Sequence, residues 1–277
     1  MRTPMETEAQ RLLVRDWRWF EPLAALEKGL LEIHALEAAE DSPAFLLSAL
    51  KPAPGGATLE LYLHRPPDPL DAASRAYEEK AVQLAVTHPR WVCLAVDGQP
   101  LAGALCGVTR DWETRAQVFI SPPSQPAEEG PRESLYRLVP PVPAAITDRT
   151  TLYTPDQVNQ MAARGGLWAL CDRGRPVSWA AVVHSFTLRA ADLIGLVYTE
   201  PSHRRQGLAS RVVRALTAEI AGRGRTAVYG ASADNPGSCG VTQAAGLTPV
   251  TGYAVIGRKA IQQSGIDRKR WKCYPNP

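Results

Sequence analysis

Between residues 190 and 213 the chain changes from one hydrophobic pattern to another. Residues 190–199 are mostly apolar, with β-branched and aromatic members toward the end, which predicts a buried strand. Pro201 ends that strand, because proline cannot donate to a sheet ladder. After a short basic segment, apolar residues recur every four positions and predict an amphipathic helix. These residues are Leu208, Val212, Leu216 and Ile220.

The basic segment between this strand and this helix has the features of a phosphate site. The first N–H groups of a helix have no internal partner, and the helix dipole is positive at that end. Gly207 allows the backbone to approach an anion closely, and Arg204 and Arg205 add positive charge. The segment is neither the lysine-bearing phosphate loop nor the G-x-G-x-x-G dinucleotide turn.

The first half of the chain alternates between helical and strand patterns. Residues 7–40 carry a helical periodicity on both sides of Pro22. Residues 91–96 and 101–108 flank Asp97-Gly98, which predicts a β-hairpin, and a strand follows at 115–120. Residues 121–131 are rich in Pro, Ser and Glu and resemble a linker. We therefore predict two domains, residues 1–125 and 132–277.

The second half of the chain is an ordered series of strands and helices. Thr154-Pro155 predicts a capped helix start, and a hairpin is expected around residues 172–175. Strand patterns recur at residues 226–230 and 250–256, on either side of a short helix that opens at Asn235.

Charge and cysteine content exclude several classes of protein. The formal net charge of +3 is too small to favour a nucleic-acid partner. The five cysteines are widely spaced and form no C-x-x-C pair, which argues against a disulfide framework or a zinc site. No apolar run is long enough for a signal core or a membrane span, so we expect a cytoplasmic protein with no metal and no membrane partner.

Two motifs resemble those of one family. The pattern R-x-x-G-x-A at residues 204–209, after Val197-Tyr198-Thr199, resembles the pyrophosphate loop of the GNAT superfamily of acyl-CoA N-acyltransferases. The pattern N-x-x-S at residues 235–238, followed by Gly246, resembles the later motif of that family at the family's spacing. The resemblance covers roughly residues 165–257. It implies an α/β (α+β) fold, with a mixed central sheet of splayed strands flanked by helices.

The resemblance also implies a donor site and a domain arrangement. Residues 132–277 would be the GNAT acyltransferase domain, and residues 1–125 a smaller, degenerate GNAT-like or accessory domain. Acetyl-CoA or another acyl-CoA would be the co-substrate. The residues implied to bind it are Val197, Tyr198, Thr199, Arg204, Arg205, Gln206, Gly207, Leu208, Ala209, Ser210, Asn235 and Ser238.

Several residues are candidates for the catalytic groups. Asp192, His184 and Glu200 are candidates for a general base that removes the proton of the attacking amine. Many family members have a tyrosine four residues after the motif serine as proton donor. This chain has Thr242 there, and a threonine hydroxyl is a poorer and shorter donor. Tyr253 and Tyr198 are candidates to replace it.

The resemblance implies an N-acyltransferase, most simply an N-acetyltransferase, that acts by direct attack in a ternary complex. The acceptor would be a primary amine of a small molecule, amino acid or peptide. An alternative is a catalytically silent acyl-CoA-binding regulatory module, which Thr242 favours. An aminoacyl-tRNA donor is a third reading, disfavoured by the modest charge. The oligomeric state stays open, a homodimer included.

Overall fold

The computed structural model describes residues 11, 13–14, 20–35, 45–53, 56–64, 83–84, 91–96, 112–122, 135–150 and 152–258. By their contacts the residues form two compact units. The first contains Met1–Gln117, Ser232–Asp234 and Thr251–Pro277, and the second contains Val118–Ala231 and Asn235–Val250. We expected a domain boundary between residues 125 and 132 from the linker composition. Residues 123–134 lie outside the described part, so this boundary stays a prediction.

The first unit is a sheet with one described helix. The elements are α1 (Phe20–Glu27), β1 (Leu31–Ala35), β2 (Phe45–Ala53), β3 (Gly56–His64) and β4 (Trp91–Val96), together with the later part of β11 (Thr248–Arg258). Strands β1, β2 and β3 pair antiparallel in that order, β3 pairs parallel with β4, and β4 pairs antiparallel with β11. Buried side chains of α1, β2 and β3 supply the described core, among them Phe20, Leu23, Leu47, Leu61 and Tyr62.

The prediction that residues 7–40 are helical is wrong for Leu31–Ala35, and residues 36–40 lie outside the described part. The helix α1 ends at Glu27, and Gly29 follows with a φ of 67°, a left-handed conformation that glycine adopts at the end of a helix. Residues 31–35 then form β1, because Leu-Glu-Ile-His-Ala alternates apolar and polar positions with the period of a strand. The short alternation was hidden by the longer helical pattern around it.

The predicted hairpin around Asp97-Gly98 is also wrong. Strand β4 pairs through residues 91–95 with β3 and through residues 91–96 with β11, so both of its edges are occupied. No edge of β4 is left for a partner at 101–108. The Asp-Gly signal is local, whereas the pairing of β4 is decided by strands distant in sequence.

The second unit contains the strand–loop–helix. Its strand order is β11-β5-β10-β9-β8-β7-β6. The strands are β5 (Trp112–Ile120, of which Val118–Ile120 belong here), β6 (Leu135–Arg137), β7 (Leu167–Asp172), β8 (Arg175–Phe186), β9 (Ala191–Thr199), β10 (Thr226–Ser232) and the start of β11. The helices are α2 (Ala144–Thr147), α3 (Pro155–Ala163), α4 (Leu208–Gly222) and α5 (Pro236–Ala244). The mixed sheet flanked by helices is the fold class that the resemblance implied.

Local sequence explains how several of these elements begin and turn. Thr154 caps α3 in a reciprocal capping box, in which the Thr154 hydroxyl accepts from the Gln157 N–H and the Gln157 side chain accepts from the Thr154 N–H. The β7–β8 hairpin turns at Arg173 and Gly174, which both have positive φ, as a two-residue turn of this kind requires. Both features agree with the predictions.

Two apolar clusters cover the two faces of the sheet. On the face covered by α4, here called the α4 face, buried Val212, Leu216 and Ile220 pack with Ile194 and Tyr229. On the opposite face, the α3 face, buried residues of α2 and α3 pack on β7 and β8; they include Ile146, Val158, Leu167 and Trp179. No helix in the described residues is long and apolar enough to cross a membrane.

Candidate functional site

Strand β9 has a paired half and an open half. Its parallel register with β10 covers Ala191–Ile194 against Thr226–Tyr229, and these four residues are the paired half. The described register stops there, although β9 continues to Thr199 and β10 to Ser232. Residues 195–199, the open half, keep β8 as their partner on the other edge. The parallel strands thus part at Ile194, and beyond it the edge of β9 toward β10 has no strand partner among the described residues.

A β-bulge changes the direction of β9 at the point where the open half leaves β10. Ala181 of β8 lies opposite Gly195 and Trp179 opposite Tyr198, so β9 has one more residue than β8 over this stretch. Leu196 lies within it with a φ of 52°, a left-handed conformation that a branched side chain adopts only at a cost of about 1 kcal/mol or more. Strain of this kind concentrates at functional sites.

The basic segment joins the open half to the start of α4. A short 3₁₀ turn at Pro201–His203 follows Glu200, and the chain then passes through Arg205 and Gly207, both in the left-handed conformation. Gly207 is the N-cap residue of α4, with a φ of 70° and no side-chain capping bond. The first turn of α4 carries no acidic residue. The N–H groups of Leu208, Ala209 and Ser210 therefore present a positive helix end that could hold an anion.

The two arginines of the segment have different surroundings. The Arg204 Nε donates to the Thr199 carbonyl over 3.2 Å, and its guanidinium lies 6.0 Å from the centre of the Tyr198 ring. Arg205 is exposed, as is Gln206. No pattern in the sequence distinguishes Arg204 from Arg205. In the structure one is folded back on β9 and the other faces solvent.

The second motif lies at the start of α5. The Asn235 side chain accepts from the Ser238 N–H over 3.0 Å and so caps the helix. The Ser238 hydroxyl is 3.1 Å from the hydroxyl of Tyr229, which belongs to the last residue pair of β10 with β9. Burial raises the pKa of Tyr229, so the phenol stays protonated at neutral pH. Asn235, Ser238 and Tyr229 together link α5 to the point where β9 and β10 part.

Thr242 is not a free hydroxyl. Its side chain is 0% exposed, and its Oγ1 donates to the Cys239 carbonyl over 2.7 Å within α5. A proton already given to a backbone carbonyl in a buried helix turn is not available to a leaving group. The structure thus gives Thr242 a local role in helix packing.

Asp192 lies in the paired half and is already engaged. Its side chain is 1% exposed, Oδ1 accepts from the Arg225 Nε over 2.9 Å, and Oδ2 is 3.3 Å from Arg223. Arg225 also donates to the carbonyls of Phe186 and Ala191. Asp192 and Arg225 therefore tie together the end of β8 and the start of β9. This geometry does not favour Asp192 as the general base.

The other two predicted catalytic residues are on β8 and β11. His184 is on β8 opposite Leu193, beside the paired half, and its ring centre lies 4.7 Å from that of Phe186 in a T-shaped contact. Tyr253 is on β11 opposite Val96, in the first unit, and its side chain lies outside the described part. The structure does not bring Asp192, His184 and the open half together.

A different carboxylate reaches the open half on the α3 face. Tyr198 packs in the α3-face cluster, with its ring stacked 4.8 Å from buried Trp179. Glu200 continues the strand, because its N–H donates to the Val177 carbonyl, and its carboxylate is 3.5 Å from the exposed Arg149 that follows α2. Sequence patterns gave no sign of Arg149, Arg225 or Tyr229, since each acts through a partner distant in the chain.

Comparisons with known proteins agree with this geometry. Residues 180–251 match the sequence family described as FR47-like protein. No curated protein matches the chain.

An acetyltransferase of the GNAT family from Colwellia psychrerythraea is 14% identical, covers 94% of this chain and 98% of its own, and has a TM-score of 0.57. A Drosophila protein is 14% identical, with coverage of 92% and 94% and a TM-score of 0.63. A GCN5-related N-acetyltransferase from Sphaerobacter thermophilus is 18% identical, with coverage of 81% and 82% and a TM-score of 0.55. These likenesses show the fold of the chain.

Proposed function

We propose that the chain is an acyl-CoA-dependent N-acyltransferase, most simply an N-acetyltransferase, that acts on a primary amine of a small molecule, amino acid or peptide. The observation that carries the proposal is the parting of β9 from β10 beside an α4 N-terminus that has no side-chain cap. Unpaired strand groups and unpaired helix N–H groups lie in succession along one stretch of chain. An extended ligand with an anionic end matches both.

The donor would lie along this stretch, with its pyrophosphate at the start of α4. The N–H groups of Leu208, Ala209 and Ser210 and the side chain of Arg205 would hold the phosphates. The open half would pair with the pantetheine arm through its backbone, as a strand pairs with an added strand. Asn235 and Ser238 would support the opposite wall through their contacts at the start of α5.

The acceptor amine would approach from the α3 face, on which the Glu200 carboxylate lies next to the open half. The Val197 N–H would polarise the thioester carbonyl. The amine nitrogen attacks the carbonyl carbon, the C–S bond breaks, and the amide and the coenzyme A thiolate form. Two proton movements complete the step: the ammonium loses one proton before attack, and the amide nitrogen loses a second.

We assign the general base to Glu200, acting directly or through water, since its carboxylate is the one on the α3 face next to the open half. No strong acid is needed for the leaving group. A thiol has a pKa of about 8.5 by analogy with cysteine, so the thiolate departs readily and takes up a proton from water. The engagement of Thr242 within α5 is then compatible with turnover.

A second candidate function is a silent acyl-CoA-binding module. The observation that favours it is again Thr242, since the hydroxyl at the family's proton-donor position is buried and committed to a carbonyl. Donor binding would be retained in this case, and transfer would be absent.

The two candidates differ in a direct experiment. Titration calorimetry with coenzyme A and acetyl-CoA tests donor binding, and mass spectrometry of a panel of amines incubated with protein and acetyl-CoA tests transfer. Donor binding with an acetylated amine supports the enzyme, and donor binding without any product across the panel supports the module. Absence of coenzyme A binding would remove both.

A further inference from the structure

Arg204 and Arg205 are neighbours in a basic loop, yet only one of them is oriented toward the strand. The Arg204 side chain returns to β9, where Nε donates to the Thr199 carbonyl and the guanidinium lies over the Tyr198 ring. Tyr198 is itself stacked on Trp179, which is fully buried. Arg204 therefore completes a stack that ends in the core of the α3 face, and such a stack holds a guanidinium in a fixed orientation.

The edge of β9 that receives this bond can be worked out from its pairing with β8. The Glu200 N–H donates to the Val177 carbonyl of β8, so the backbone groups of Glu200 point toward β8. Backbone groups of successive residues in an extended strand alternate between its two edges. Those of Tyr198 also point toward β8, where its carbonyl accepts from the Ser178 hydroxyl. Those of Thr199 and Val197 point to the edge that β10 has left.

We propose, on the basis of the donor site assigned above, that Arg204 is a positioning residue for the donor arm and not a phosphate ligand. By filling the Thr199 carbonyl, it ends the groove on the open edge. The groups of the open half left for the ligand on that edge are the Val197 N–H and C=O and the Thr199 N–H. Arg204 thereby sets the register at which the pantetheine arm pairs with β9, and with it the place of the thioester.

Arg205 is the matched comparison within the same loop. It is exposed and precedes the helix start, so its contribution is charge near the phosphates. Loss of charge at Arg205 should weaken binding of any ligand that carries the phosphates. Loss of Arg204 should weaken binding of any ligand that carries the arm.

Fragments of the donor separate these effects. We would measure by calorimetry the affinities of adenosine 3′,5′-bisphosphate, S-acetylpantetheine and acetyl-CoA for the full chain, for Arg204→Ala and for Arg205→Ala. Arg204→Ala should lose about tenfold for S-acetylpantetheine and for acetyl-CoA, the size of one hydrogen bond to a charged group, and keep its affinity for the bisphosphate. Arg205→Ala should show the reverse pattern between the two fragments.

Two conservative variants test whether the Nε donor of Arg204, and not its charge, supports binding of the pantetheine arm. The Nε2 of glutamine is as many bonds from Cα as the Nε of arginine, so Arg204→Gln can still donate to the Thr199 carbonyl but carries no charge. Arg204→Lys keeps the charge and lacks a donor at that position. We expect glutamine to keep binding of S-acetylpantetheine within about twofold of the unmodified chain, and lysine to behave like alanine.

The opposite results would overturn the inference. The first is that Arg204→Lys keeps its affinity for S-acetylpantetheine while Arg204→Gln loses it. The second is that an Arg204 variant loses affinity for the bisphosphate. The third is that no Arg204 variant changes any affinity although the unmodified chain binds acetyl-CoA. Far-UV circular dichroism and melting curves exclude unfolding as the cause, and the conservative Arg204→Gln provides the test if Arg204→Ala does not fold. Failure of the unmodified chain to bind acetyl-CoA would instead refute the proposed function itself.

Discussion

The paired and open halves of β9 are one continuous strand with opposite uses of their polar groups. In the paired half the backbone bonds to strands on both sides, and the buried carboxylate of Asp192 is held by Arg225. In the open half one edge has no strand partner within the described part of the chain, and the backbone is bulged at Leu196. The neighbouring carboxylate, Glu200, is only loosely paired with exposed Arg149. The difference shows how a strand can be anchored at one end so that its other end is free to bind.

The largest effect is expected from removing Arg225, the residue that holds Asp192 in the paired half and is here called the anchor. In Arg225→Met the buried Asp192 carboxylate and the carbonyls of Phe186 and Ala191 lose a donor. Removing one partner of a buried pair costs about 3–5 kcal/mol, so urea unfolding should show a decrease of that size in the free energy of unfolding.

Arg223→Met is the matched control for that variant. Arg223 is 3.3 Å from the same carboxylate, but its side chain is 44% exposed, so its removal should cost less than about 1 kcal/mol. Equal losses in the two variants would contradict the assignment of the anchor to Arg225.

The next effect separates the two carboxylates by function. Glu200→Gln should reduce kcat by about 100-fold, the lower range for loss of a general base, with little change in stability. Steady-state transfer kinetics on the best amine of the panel measure it. Asp192→Asn should do the opposite, lowering stability while the folded protein keeps its kcat. A high kcat in Glu200→Gln would exclude Glu200 as the base.

A third variant sharpens the comparison at the helix start. Gly207 has a φ of 70° and a Cβ there would meet nothing within 4 Å, so Gly207→Ala costs about 1 kcal/mol of backbone strain. The new methyl group would also face the phosphates. We therefore expect the affinity for coenzyme A, measured by calorimetry, to fall about tenfold.

Gly224→Ala is an internal control, since Gly224 follows the other end of α4 with a φ of 69° and equally free surroundings. It should show the same strain in unfolding experiments and unchanged coenzyme A binding. An affinity loss at both positions would mean that strain alone explains the effect of Gly207→Ala.

The smallest effect is expected at Thr242. Thr242→Val removes the bond to the Cys239 carbonyl and should cost about 0.5–1.5 kcal/mol of stability, with an unchanged rate of transfer. A rate decrease without a stability change would restore Thr242 as a catalytic group.

In the second unit, the sequence predicted features that depend on neighbouring residues and few of those that depend on contacts between distant parts of the chain. The capping box at Thr154, the helix from Leu208 and the hairpin at Arg173-Gly174 follow from signals within a few residues. The parting of β9 from β10 came from a family resemblance, since hydrophobic periodicity says nothing about which strand edges are filled. The predicted helix at residues 31–35 and the predicted hairpin partner of β4 were wrong, because pairing between distant strands overrides a local pattern.

The candidate site shows the same division. The motif residues at 204–210 and 235–238 lie at the helix starts where they were expected. The ion pairs Asp192–Arg225 and Glu200–Arg149 join residues 33 and 51 positions apart, so no pattern within one segment contains them. Their exposure, which separates an anchor from an accessible base, is a property of the folded chain alone.

The open half of β9 offers main-chain atoms, and main-chain atoms are common to every amino acid. A ligand held in this way does not depend on which side chains stand at positions 197 and 199, provided that they are compatible with a strand. If the proposed donor site is correct, relatives of this fold should keep the same extended ligand through extensive sequence drift. Differences in the second substrate should then arise among the side chains of the α3 face, where identity matters.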